Sequence, residues 1–274
     1  MPAAASALTS LHARIPVTIT SMAMNDDSFS RRRFVGQAVA AAAAPALIDI
    51  GEPRPAAPLR IVCVGGHPDD PESGCGGALA RYAASGHDVT IVYLTRGERG
   101  IVGKSLDEAA RIRTAESEAA CKILGAKPVF FGQIDGATEA TKAHVDVMTN
   151  LLTARSPDVI FAHWPIDTHM DHQVASMLTI RAWMRLRTPA LYFYEVNSGS
   201  QTEGFLPNTY VDITPVLEQT KRALFAHVSQ DGQGIWREHH EIMAQWRGRE
   251  AGVAAAEAFV HLDRTTTATK LPGL

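Results

Sequence analysis

Regular exchange between two kinds of segment fixes the fold class of this chain. Short apolar runs rich in β-branched residues recur at Arg60–Val64, Asp88–Leu94, Pro128–Phe131, Asp158–Ala162 and Ala190–Val196. Between them lie longer stretches with helical patterning, about Ala78–Ala84, Leu106–Leu124, Thr138–Ala154 and Asp171–Leu186. Apolar runs of this length read as strands buried on both faces. Strands that exchange with helices in this way must lie parallel and be joined by crossovers. The expectation is an α/β, Rossmann-like, mostly parallel sheet with helices on both faces. Gly86 and Gly125 stand where helix C-termini favour glycine. Downstream, the pattern predicts a strand at Tyr210–Ile213, helices at Pro215–Ala226 and around Ile235–Arg247, and a last short strand near Phe259–Leu262 at the sheet edge.

In open α/β sheets, ligands sit outside the carboxyl ends of the strands. The first strand is followed by Gly65-Gly66-His67-Pro68-Asp69-Asp70-Pro71-Glu72, then by the glycines at 74, 76 and 77 that open a helix. A histidine and a carboxylate three positions on, in a proline-stiffened turn, can converge on one metal ion. Catalytic zinc takes three protein ligands and keeps a position open, so another strand end must supply the third. Asp167-Thr168-His169-Met170-Asp171-His172, after the Asp158–Ala162 strand, offers it. Taken alone, each cluster reads equally well as a hydrogen-bonded loop histidine and a helix cap; two such clusters after two buried strands favour a metal. The glycines lack the G-x-G-x-x-G spacing of dinucleotide sites, and no G-x-S-x-G elbow is present. His163 reads as a pocket or a core residue, and Arg96, Glu98 and Arg99 as a charged loop on the metal side of the sheet. Arg113 and Glu116 are spaced for a helical ion pair, Asp171 for a helix cap, and His239-His240 for an exposed helical face.

His67-Pro-Asp69-Asp70 before Gly-Cys-Gly-Gly, with His169-x-Asp171-His172 downstream, resembles the PIG-L/LmbE-like zinc deacetylases. The resemblance covers most of residues 60–262. It includes Leu94-Thr-Arg-Gly-Glu-Arg-Gly100, Arg113-x-x-Glu116, His227-x-Ser229-Gln230 and Ala256-Glu-Ala-Phe259. In two places the chain departs from the pattern: Pro71 separates Asp70 from Glu72, and Met170 stands where proline is common. The resemblance implies that His67, Asp70 and His172 bind Zn2+ or another divalent metal such as Fe2+. It assigns Asp69 as general base, a positively charged His169 as oxyanion stabiliser, and Asp171 as the group that orients His169 or a ligand. The metal would polarise an amide carbonyl and lower the pKa of its water from ~15.7 towards ~7. An N-acetylated amino-sugar conjugate is the implied small-molecule substrate. A non-catalytic carbohydrate-binding protein on the same fold is the rival reading; Asp69 and His169 argue against it, because binding alone needs neither.

The 274 residues, with a formal net charge of -3, suffice for one large domain and lack the basic excess that nucleic-acid binding requires. Cys63, Cys75 and Cys121 fit no metal or disulfide spacing and read as small buried hydrophobes. Near the N-terminus, Ser30-Arg31-Arg32-Arg33-Phe34 precedes an Ala-rich run, Gly36 to Ile48. That order makes a Tat-type export signal, with the start expected at Met22 or Met24 and cleavage after Ala46. The run is shorter than the ~20 residues a membrane span needs. Residues 1–58 are therefore expected to be signal and linker, and 59–274 a deacetylase domain exported by the Tat machinery to the periplasm or beyond.

Overall fold

The computed structural model describes residues 57–262, so the expected signal and nearly all of the linker lie outside the described residues. Seven strands form one sheet: β1 (Arg60–Gly65), β2 (Asp88–Tyr93), β3 (Lys127–Phe130), β4 (Val159–His163), β5 (Ala190–Tyr194), β6 (Thr209–Asp212) and β7 (Ala256–Leu262). Their spatial order is β3-β2-β1-β4-β5-β7-β6. The first five are parallel, as expected from the crossovers between them. The chain runs outward from β1 to β3 and then restarts on the other side of β1 with β4. Strand order thus reverses between β1 and β4, and the carboxyl ends of these two strands flank the crevice where such sheets bind ligands.

Alternate side chains of β1 feed two cores. Ile61 and Cys63 pack with Leu79, Ala120, Leu124 and Ala223 from α1 (Asp70–Ala84), α2 (Leu106–Leu124) and α5 (Leu217–Phe225). Val62 and Val64 pack with Met148, Leu152, Ala175 and Leu178 from α3 (Lys142–Arg155) and α4 (Met170–Leu186). Helices therefore cover both faces, and no helix of the described residues is long and apolar enough to cross a membrane. Cys63, Cys75 and Cys121 are free and buried, as their surroundings in the sequence suggested.

The last strand is not at the edge. β7 lies between β5 and β6 and pairs antiparallel with both, which leaves β6 outermost. It begins at Ala256, three residues before the expected start, and Ala256, Ala258 and Phe259 are all buried. Small alanines on a central strand were not legible as a β pattern.

The first helix also starts earlier than expected. α1 begins at Asp70 and carries the glycine-rich stretch inside it, kinked at Cys75 (φ -150°, ψ 17°). Beyond the kink, the Glu257 side chain of β7 accepts hydrogen bonds from the backbone N–H groups of Gly77 (2.7 Å) and Ala78 (2.8 Å). It caps the restarted helix from across the core. A Cβ at Gly77 would meet Ile213 Cβ at 2.8 Å and Glu257 Oε1 at 3.0 Å, so only glycine admits this approach. After α5, a short α6 (Gly232–Ile235) runs through one π turn, Trp236–His240, into α7 (Glu241–Ala251).

Candidate metal centre

The turn after β1 is held from several directions. The His67 N–H donates to Asp70 Oδ2 at 2.7 Å, closing the turn through Pro68. Asp69 sits at φ 101°, ψ -32°, a conformation that L residues avoid; such strain costs on the order of 1–3 kcal/mol and persists only where the surroundings impose it. Arg113 of α2 imposes it here, donating to Asp69 Oδ2 at 2.8 Å and to the Pro68 carbonyl. Glu72 adds to this by accepting from the Asp69 N–H at 3.2 Å and from the Tyr93 hydroxyl at 2.6 Å, with His227 Nε2 at 3.2 Å. The expected Arg113–Glu116 helical pair does not form; Glu116 instead accepts from the N–H and hydroxyl of Ser229, each at 2.7 Å.

Asp70 Oδ2 lies 3.2 Å from His67 Nδ1 and 3.2 Å from His172 Nε2, so the carboxylate touches both rings, although no set of ligand atoms within 4.8 Å of one another among the described residues holds all three expected ligands. Both imidazoles are anchored from behind by a second carboxylate. His172 Nδ1 is 3.1 Å from Asp167 Oδ1, while His67 Nε2 is 3.1 Å from Asp171 Oδ2 and 3.3 Å from Asp135 Oδ1. The outer nitrogen of each ring faces a carboxylate that holds it as a donor, which leaves the inner nitrogen to present a lone pair once a cation takes the place of its proton. That is the arrangement metal-ligating histidines use. Asp171 also accepts from the Gly136 N–H (2.7 Å) and the Thr138 hydroxyl (2.6 Å), and is fully buried. It orients His67. The N-cap of α4 is His169, whose Nδ1 accepts from the Asp171 N–H at 3.2 Å.

Gly66 permits this convergence: a Cβ there would stand 2.9 Å from His172 Cδ2 and 3.2 Å from Asp70 Oδ2. Its N–H donates to His163 Nε2 at 2.9 Å, which leaves the buried Nδ1 of His163 without a partner. His163 stacks on His172 with ring centroids 4.2 Å apart, and its Nε2 is 3.3 Å from Asp70 Oδ2.

Among the described residues, three overlapping sets bring ligand atoms within 4.8 Å of one another: His67, His169 and His172; His67, Asp135, His169 and Asp171; and Asp70, His163 and His172. The donor set of imidazoles and carboxylates suits zinc or another divalent first-row metal.

The charges are arranged to match. Burial opposes protonation of His172, but Asp70 and Asp167 outweigh it and raise the imidazole to about 9. His67 is likewise raised, against burial, by Asp70, Asp135 and Asp171. Burial and then the charge of His172 lower His163 to about 4, so it stays neutral. Asp69 is raised by burial, which the Arg113 charge only partly offsets. For His169, burial followed by the charges on His67 and His172 lowers the pKa. The positive His169 expected from the sequence therefore runs against its surroundings, and its Nδ1 must also stay unprotonated to accept from Asp171.

A cavity of about 380 Å³ opens over these groups, lined by His67, Asp69, Asp70, His169 and His172 with Arg99 at its rim. The loop after β2 reaches it through Asp135, which accepts from the Arg99 N–H at 3.0 Å. Glu98 is buried and accepts from the N–H of Asp135 at 3.1 Å. Asp135 was missed in the sequence, although it follows the third strand as His67 follows the first. His240, expected to be exposed, is buried, whereas His239 is exposed.

The model of the family described as PIG-L, GlcNAc-PI de-N-acetylase, matches residues 62–183. The chain is 29% identical to the diacetylchitobiose deacetylase of Thermococcus kodakarensis, over 73% of this chain and 82% of that protein. It is 27% identical to a 4-oxalmesaconate hydratase of Pseudomonas putida, over 69% of this chain and 81% of that protein. The crystal structure of the conserved protein TT1542 from Thermus thermophilus superimposes with a TM-score of 0.64 at 30% identity, over 79% of this chain and 99% of that one. With its matched segment spanning both strand ends that carry the His/Asp cluster, the chain belongs to the PIG-L family.

Proposed function

We propose that this protein is a zinc-dependent N-deacetylase that hydrolyses the N-acetyl amide of an amino-sugar conjugate. One observation carries the proposal: two buried imidazoles, each backed by its own carboxylate, meet on Asp70 beneath a cavity that also holds Asp69 and His169. His67, Asp70 and His172 would hold the metal, which supplies a Lewis acid and acidifies a water molecule. Asp69 takes the proton from that water and returns it to the departing amine. Burial raises its pKa, the direction that favours a base able to hold and return a proton. His169 donates from Nε2 to the oxygen that gains charge, because Nδ1 is committed to the Asp171 N–H. A neutral donor aimed at a developing oxyanion is worth about 2.7–4 kcal/mol. Relatedness to a diacetylchitobiose deacetylase supports an amino-sugar amide as the substrate. Arg31 and Arg32 and the apolar run after them support export through the Tat machinery to the periplasm or beyond, which would deliver the enzyme already folded and loaded.

The test is release of primary amine and acetate from N,N'-diacetylchitobiose by zinc-loaded protein, with and without a chelator. Amine release that stops with chelator and returns with zinc is expected. The hydratase relative supplies the contrary outcome: no amine from any N-acetylated amino sugar, together with water addition to an unsaturated polycarboxylic acid, would overturn the proposal.

A further inference from the structure

Strand β1 and helix α1 enclose the metal turn, and each places a cysteine in the core between them. Cys63 lies on β1 and Cys75 at the kink of α1, and both belong to the same apolar cluster. Both are 0% exposed, and their sulfur atoms stand 3.3 Å apart, close enough for one S–H to donate to the other sulfur. The third thiol is not part of the pair, because Cys121 Sγ lies 3.3 Å from the Tyr93 hydroxyl. Chain spacing hides the pair: the two cysteines are 12 positions apart, with His67, Asp69, Asp70 and Glu72 between them. None of the groups assigned to the metal or to proton transfer is a cysteine, so the two thiols stand outside that chemistry.

Little has to move for these sulfurs to bond. The end of β1 is already pressed against the first turn of α1, where a Cβ at Gly65 would stand 2.6 Å from Pro71 Cγ. At Cys75 the helix is interrupted (φ -150°, ψ 17°), so its side chain is freed from the direction that a continuous helix imposes. Burial raises both thiols, which keeps the thiolate that starts disulfide exchange scarce in the closed state. Closure therefore waits on local opening of the first turn of α1, and the bond once made is shielded from reductants.

We propose that Cys63 and Cys75 are a disulfide-forming pair that braces the metal turn between β1 and α1, with a disulfide of the oxidised-glutathione type as the oxidant. One cysteine, as thiolate, attacks a sulfur of the oxidant and releases a first thiol. The other cysteine gives up its proton and its sulfur displaces the remaining half as a second thiol. Two protein S–H bonds are lost and one S–S bond is formed, while the two electrons and two protons leave on the two thiols released. The closed loop removes freedom from the unfolded chain and ties together the two elements that bear His67 and Asp70. The export proposed above would carry the folded dithiol into a compartment where disulfides persist. The pair does not depend on which reaction the metal site performs.

The test holds the folded, zinc-loaded parent with oxidised glutathione at mildly alkaline pH, where exchange is faster. Free thiols in denaturant, intact mass, a peptide map made without reductant, and Tm are then measured. The three free thiols are expected to fall to one, with loss of the mass of two hydrogen atoms and a single linked peptide joining Cys63 to Cys75. A bond that closes a loop of this length should raise Tm by about 5–10 °C, and reduction in denaturant should restore all three thiols. Every readout is made on the parent, so none depends on a variant folding; Cys121→Ala, which leaves the pair in place, should close the same bond. Three thiols that stay free, a glutathione adduct that does not resolve, a link through Cys121, or a closed bond that fails to raise Tm would each overturn the proposal.

Discussion

Replacing Asp171 by asparagine isolates the part that charge plays in holding the metal site. Asp171 Oδ2 accepts from the Gly136 N–H at 2.7 Å and faces His67 Nε2 at 3.1 Å, while Oδ1 accepts from the Thr138 hydroxyl at 2.6 Å. Asparagine can place its carbonyl where Oδ2 stood and keep the first two contacts. Its amide then points at the Thr138 hydroxyl, which can rotate to accept. The number of hydrogen bonds survives and the charge does not. A bond to a charged group contributes about 1.5–3 kcal/mol and a neutral one about 0.5–1.5 kcal/mol, so three weakened bonds amount to about 3–4.5 kcal/mol. His67 keeps its tautomer and loses part of its basicity. Outer partners of this kind are worth about 10- to 100-fold in metal affinity. Zinc affinity measured by competition with a chromophoric chelator should therefore fall by that factor, and urea unfolding of the metal-free protein should report a loss of similar free energy. A variant that holds zinc within twofold of the parent would refute the reasoning, because it would mean that the Asp171 charge does not orient His67.

Asp69→Asn should retain zinc yet lose about 10²–10⁴ in kcat, the usual cost of a missing general base, and parent-like turnover at full zinc occupancy would remove Asp69 from the mechanism. Glu257→Gln tests the buried cap of α1. Burial raises the parent carboxyl to about 8, against the two backbone N–H bonds. The folded state thus holds a proton that the unfolded state releases near pH 4.5, and this contribution to stability falls as pH rises from about 4.5 to 8. Subtracting the urea stability of Glu257→Gln from that of the parent should give a difference that declines across that window; a flat difference would contradict the assignment. Changing Arg31 and Arg32 both to lysine should leave full-length precursor in the cytoplasm on fractionation, and normal export of that variant would exclude the Tat reading.

Much of this was written in the local pattern. The β-branched runs before His67 and before Asp167 establish two buried parallel strands, because periodicity reports which faces a segment must bury. The reversal of strand order between β1 and β4 then follows from where the next strand finds room. His67 and Asp70 were legible as a pair because three residues of a proline-bounded turn bring them together without help from elsewhere. Their partners were not. Asp135 reaches His67 from another loop, Arg113 crosses to Asp69 from α2, and Glu257 caps α1 from the far end of the chain. A helical Arg113–Glu116 pair is worth only about 0.2–0.5 kcal/mol, whereas a partly buried Asp69 carboxylate beside Asp70 without a counter-charge costs more than that. Tertiary structure therefore decides which arginine meets which acid. The burial of His240 has the same origin, since local spacing predicts the opposite. The sequence encodes which faces seek the core; only packing decides which polar groups from distant loops are left facing one another once water has been excluded.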